Sequence, residues 1–182
     1  IPYLRRSYQS KKEVWKILVE ALPGTVILAL AALILARGLG IPLGVMAAIK
    51  NNTWMDRSAI FSSIIGISAP SFFMGILIAF LFGYVWHRYT GLHMTGSMFD
   101  LDPFEGNKLQ LQNLILPALT LGLRPLAIIT QLTRSSMLDV LNQDYIRTAK
   151  AKGLPNRKVI WKHALPNAMN PVITAITGWF AE

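Results

Sequence analysis

Two arginines, two histidines and one glycine-interrupted basic run are the residues of this 182-residue chain with chemistry to offer. Arg37 and Arg124 each sit inside a long apolar stretch, and no Asp or Glu falls within 25–49, 59–86 or 114–132. A charge at the centre of an apolar span costs about 2.5–3.5 kcal/mol even on the lenient insertion scale, so each arginine should face protein, water or a partner. For Arg124 the alternatives are a solute carboxylate, backbone carbonyls freed by Pro125, or snorkelling towards the interface. His87 and His93 lie near Asp100, Asp102 and Glu105. A metal could bind such a group, but a solvated loop is the simpler reading, and no metal site is expected. With no cysteine there is no disulfide or catalytic thiol. No Ser/His/Asp arrangement and no G-x-x-x-x-G-K-[S/T] phosphate loop occurs. The chain is expected to be non-enzymatic, binding no cofactor itself.

The elements that must hold these residues are apolar ones. Hydrophobic residues make up 53% of the sequence and charged residues 15%, against about 25% charged in an ordinary soluble domain. A soluble domain of this size could not hide that much apolar surface. The net charge of +9 then fits basic loops and contact with anionic lipid, not nucleic acid. Residues 1–21 are polar and basic, with Val14, Trp15, Ile17, Leu18, Ala21 and Leu22 close to a helical stripe, which predicts a short extracytoplasmic helix on the membrane surface. Four apolar segments follow at 25–49, 59–86, 114–132 and 164–181; a span needs about 20 apolar residues. The expected fold is all-α, a polytopic helical bundle over 22–182 whose fourth span is truncated, so the sequence reads as an internal fragment. Lys50 and Arg57 lie in one loop, and seven further cations lie within 134–163. Parity puts both on one side, which the positive-inside rule makes cytoplasmic, leaving the sparsely basic loop 87–113 outside.

The segment 134–166 has the most internal structure. Met137, Leu138, Leu141, Tyr145, Thr148 and Ala149 recur at helical steps. Asp144 can cap a turn after Asn142 and Gln143. Lys150 and Lys152 suit a helix C-terminus, and Gly153 can take the left-handed conformation that ends it. Pro155 blocks continuation, and Asn156 can cap a second helix over 157–163 returning to the membrane. Physics alone leaves this hairpin open to a plainer reading, a basic surface resting on lipid headgroups.

From Asp144 to Ala168 the chain reads D-Y-I-R-T-A-K-A-K-G-L-P-N-R-K-V-I-W-K-H-A-L-P-N-A. This resembles the EAA loop of ABC-importer permeases: Glu-Ala-Ala, three residues, Gly, nine residues, Ile-x-Leu-Pro. Here Ala149, Gly153 and His163-Ala164-Leu165-Pro166 keep the spacing. Arg147, Thr148 and His163 depart from it in the manner of the peptide/nickel subfamily, which uses Tyr-x-Arg-Thr-Ala-x-Ala-Lys-Gly and His-Ala-Leu. Gly40 to Ala48, Ser68 to Phe73 and Leu116 to Leu121 resemble the same family. The resemblance implies a permease subunit in the bacterial inner membrane, forming the pathway for di- or oligopeptides, with nickel as the alternative substrate. It further implies a second permease subunit as heterodimer partner, two ATPase subunits that carry ATP and magnesium, and an extracytoplasmic substrate-binding protein. Tyr145, Arg147, Ala149, Lys150, Ala151, Gly153, Leu165 and Pro166 would form the ATPase-coupling loop, with Arg124, Pro70 and Arg37 as pathway candidates. The rival is a secondary transporter or channel using broken helices at Pro70 and Pro125 without ATPases. That rival leaves the spacing from Gly153 to Pro166 unexplained.

Overall fold

A computed structural model describes residues 6–7, 11–95, 99–102 and 106–179. Helix α1 (Val14–Ile49) and helix α5 (Gln112–Leu141) are each long and apolar enough to cross a membrane. At 1.5 Å per residue, the 36 residues of α1 extend about 54 Å, well beyond a hydrocarbon core of about 30 Å. The expected surface helix and first span are therefore one continuous helix. Pro23 and Pro42 both lie inside it, Pro23 where the sequence was expected to change from interface to span.

A turn at 50–53 leads into α2 (Trp54–Ser68) and α3 (Ser71–Phe80), the latter continued by a π-helical stretch, Leu81–Val85. The segment 59–86, expected as one kinked span, is instead two helical halves bent by 112°. The cause is local. Proline disfavours the α conformation in the residue before it, and here both Ala69 (ψ 134°) and Pro70 (ψ 132°) are extended, unlike the prolines held inside α1 and α5. Two successive non-helical residues redirect the chain where one helical proline would only have kinked it. Short α4 (His87–Thr90) follows. The stretch expected to be an open loop holds an antiparallel hairpin, β1 (Phe99–Asp102) with β2 (Gly106–Leu109), registered Phe99 to Leu109 and Asp102 to Gly106.

Beyond α5 come α6 (Asp144–Ala151), α7 (Asn156–Lys158), a π-helical stretch Val159–Ala164, α8 (Leu165–Ala168) and α9 (Asn170–Trp179). The fourth predicted span is thus divided into short helices across the described residues. Pro155, not Asn156, holds the N-cap position of α7, and Asn156 is already helical. Likewise Gln143 precedes α6, and Asp144 is its first residue.

Small residues set the packing of α1 on α5. A Cβ added at Gly44 would stand 2.6 Å from the Thr130 carbonyl and 2.6 Å from Thr133 Cβ; one at Gly122 would stand 2.9 Å from the Ala32 carbonyl. Backbone can approach backbone this closely only without a side chain, the usual means of joining helices in lipid. Ala32 meets Gly122 and Gly44 meets Thr133, so the helices advance together and run parallel. Two parallel helices joined through α2 and α3 put turn 50–53 and residues beyond Leu141 at one end, the basic one, as the parity of the loops predicts.

Candidate functional site

At that basic end a cluster of buried residues gathers Val45 and Ala48 of α1, Met137 of α5, Ile146 and Ala149 of α6, and Val159, Ala164 and Ala168 of the returning chain. Helix α6 rests on the bundle through Ile146, fully buried, and Ala149. Its opposite face, with Tyr145, Arg147, Lys150 and Ala151, is exposed. Arg147 lies 3.4 Å from Asp144 in a solvent-facing pair, the kind that contributes little to stability. The face is thus left basic, with Lys150, Lys152, Arg157 and Lys158 all exposed.

Gly153 ends α6 in the conformation its sequence position predicts, φ +76°. The Leu154 N–H donates to the Ala149 carbonyl at 3.3 Å, and the Gly153 N–H to the Lys150 carbonyl at 2.9 Å. These are the two bonds of a Schellman cap, and Leu154 packs against the cluster that holds Ala149, the accompanying hydrophobic contact. Of the eight expected coupling residues, then, Tyr145, Arg147, Lys150, Ala151, Gly153 and Pro166 face outward. Ala149 is buried and Leu165 half-buried in the seat. Those two position the surface and do not form it.

The pathway candidates separate. Arg124 and Pro125 line a cavity of about 1100 Å³ between α3, residues 93–95 and α5. Pro70 and Arg124 meet again in an adjoining hollow of about 380 Å³. Arg37 is exposed on α1 and lines neither. The rings of His87 and His93 stand 4.9 Å apart, and His87 Nδ1 is 2.6 Å from the Leu92 carbonyl. The expectation about Asp100, Asp102 and Glu105 beside them concerns side chains outside the described residues.

One feature was not anticipated. Asp56, in the first turn of α2, is 2% exposed and faces Arg134 of α5. Arg134 donates from Nη2 to Asp56 Oδ2 at 2.7 Å and from Nε to Oδ1, a two-pronged contact. The Asn52 N–H donates to Oδ2 at 3.0 Å, and Arg134 Nη2 reaches Asn51 Oδ1 at 3.3 Å. Asn52 takes φ +62°, which lets its N–H point at the carboxylate; asparagine tolerates this conformation better than most residues. The pair fastens the 50–53 turn to α5 beside the α6 seat. Asp56 is the sole acid between Glu20 and Asp100, a signal that it had a dedicated partner.

Residues 40–181 match the family described as the binding-protein-dependent transport system inner membrane component. The chain is 39% identical to the dipeptide transport system permease protein of Escherichia coli (strain K12), over 93% of this chain and 55% of that protein. It is 39% identical to the oligopeptide transport system permease protein of Bacillus subtilis (strain 168), over 87% of this chain and 49% of that one. With the di/tripeptide transport system permease protein of Pseudomonas aeruginosa (strain UCBPP-PA14) the identity is 36%, over 94% and 55%. The chain spans about half the length of the curated relatives it matches.

Proposed function

Because the chain belongs to the family of inner membrane components of binding-protein-dependent transport systems, we propose that it serves in the permease subunit of an ATP-driven importer of peptides. Its relatives are named for dipeptide, tripeptide and oligopeptide transport, and peptide is accordingly the substrate class assigned here in preference to nickel. In this reading a second permease subunit completes the pathway as a heterodimer, and an extracytoplasmic binding protein delivers the solute. Two ATPase subunits bind ATP and magnesium, and the chain itself has no catalytic role.

The observation that carries the coupling role is the division of α6 into two faces. Ile146 and Ala149 anchor it in the core, while Tyr145, Arg147 and Lys150 project from a helix whose end is fixed by Gly153. A short helix held rigidly at the basic end, with an exposed face, can transmit a push from a docked partner to α1 and α5 through the shared cluster. A free surface hairpin on lipid would need no such seat.

The test is cross-linking in the full-length subunit assembled with its partners. Tyr145→Cys and Lys150→Cys should each give adducts with the ATPase subunits, and Ile34→Cys, on an exposed apolar face of α1, should not. Capture of lipid alone from both α6 positions would overturn the coupling role.

A further inference from the structure

We propose that Arg124 is the binding group for a carboxylate of the transported solute, within the membrane cavity between α3, residues 93–95 and α5; this rests on the reading that the chain lines an import pathway.

Depth is the first consideration. Arg124 lies 12 residues beyond Gln112 and 17 before Leu141 on α5, about 18 Å and 26 Å along a helix. A guanidinium so far from either end must find water or an anion. The described residues give it no protein partner: Arg124 takes part in no ion pair and no side-chain hydrogen bond among them. In particular it does not cap a carbonyl freed by Pro125, the structural alternative that the sequence left open. Ten residues along the same helix, Arg134 shows what a structural arginine looks like in this fold, two-pronged on Asp56. Arg124 is exposed instead, and what it is exposed to is the cavity.

The cavity matches such a ligand in charge and in size. Among the described residues none that lines it is acidic, and beside Arg124 it offers His93, Asn113 and the hydroxyl-bearing Ser71, Thr95 and Thr120. A guanidinium in a cavity whose described lining carries no carboxylate produces a local field that favours an anion. The planar guanidinium fork fits a carboxylate in bidentate fashion, and one positive charge neutralises a monoanion, whereas a phosphate dianion would leave net charge behind. At about 1100 Å³ the space is at the upper end of small-ligand sites, enough for a short peptide to enter with its C-terminal carboxylate on Arg124.

The experiment uses the absence of cysteine from this sequence. Ala79→Cys places a thiol on α3 in the cavity wall, and its labelling by a water-soluble maleimide is followed in the complete transporter in proteoliposomes without binding protein. Trialanine and trialanine amide are the probes. The free acid should protect the thiol at concentrations roughly 10- to 150-fold lower than the amide, the range for one charge-assisted contact. Arg124→Gln should abolish that difference, and Arg124→Lys should retain part of it. Equal protection by acid and amide with Arg124 intact overturns the inference and requires no variant to fold. Peptide uptake by the unmodified transporter is measured in parallel with its binding protein and ATP supplied: uptake with equal protection overturns the carboxylate site alone, and failure to import any peptide overturns the import reading.

Discussion

Removing the Asp56 carboxylate should be among the most damaging single changes at the basic end of the bundle. Asp56→Ala deletes both oxygens that Arg134 contacts and leaves the guanidinium beside Asn51 alone. Breaking a buried ion pair from one side costs about 3–5 kcal/mol, because the surviving charge loses its partner without regaining water. The Arg134 side chain keeps 21% of its exposure, so some water reaches it and the lower end, about 3 kcal/mol, is expected. Arg134→Met should cost a similar amount, since Asp56 at 2% exposure would retain only the Asn52 N–H. The double variant leaves no orphaned charge and should fall short of the summed single losses by about 3 kcal/mol, the upper range for contacting residues. Reversible unfolding of the full-length subunit in mixed detergent micelles gives all four corners of the cycle. Single losses within about 0.5 kcal/mol of the parent, or a double loss equal to their sum within about 0.5 kcal/mol, would refute the fastening role.

Three further outcomes follow from packing and backbone conformation. Gly44→Ala should lower unfolding stability by about 1–3 kcal/mol through overpacking, since its Cβ would meet Thr130 and Thr133 at 2.6 Å; an unchanged midpoint would contradict the α1–α5 interface. Thr133→Val should be neutral or stabilising by up to about 1 kcal/mol, because Thr133 Oγ1 is buried without a hydrogen-bond partner among the described residues and its removal relieves an unmet polar atom. At Gly153 the backbone is the obstacle, since an added Cβ meets nothing within 4 Å but φ is +76°, a conformation costing an ordinary side chain about 1–2 kcal/mol. Gly153→Val should therefore reduce transport-stimulated ATP hydrolysis in the assembled transporter while Gly153→Asn stays near the parent, and parental stimulation in the valine variant would count against the cap.

What could be read from the sequence was what local rules determine. The end of α6 at Gly153 and the spans within α1 and α5 depend on neighbouring residues, and the structure places them near where those rules put them, whereas the apolar segments 59–86 and 164–181 form broken helices. The bend at Pro70 was half legible: proline announced a disturbance, but whether the chain kinks or turns through 112° depends on two backbone torsions that neighbouring packing decides. Residues 14–21 continue into the first span as one helix, because a change in side-chain polarity does not by itself interrupt backbone hydrogen bonding. The Asp56–Arg134 pair joins residues 78 positions apart, and no periodicity encodes such a contact. Only the isolation of Asp56, with no other acid between Glu20 and Asp100, pointed towards it.

The spacing that made residues 144–168 recognisable also has a physical cause in this fold. Helix α6 sits on the core through Ile146 and Ala149, and the chain must come back to the same cluster through Val159, Ala164 and Ala168. Between those two anchorages it has to reverse direction. The Schellman cap accomplishes the reversal within Ala149 to Leu154, and the π-helical stretch Val159–Ala164 brings the chain back to buried Ala164, immediately before Leu165 and Pro166. Between Gly153 and Pro166 the chain thus leaves the end of α6 and returns through Val159 and Ala164 to the buried cluster. Small side chains at Ala149, Ala164 and Ala168 let α6 and the returning chain share a single seat on α1 and α5. In the coupling role proposed above, docking of a partner would bear on the spanning helices because the exposed face and the buried seat belong to the same eight-residue helix.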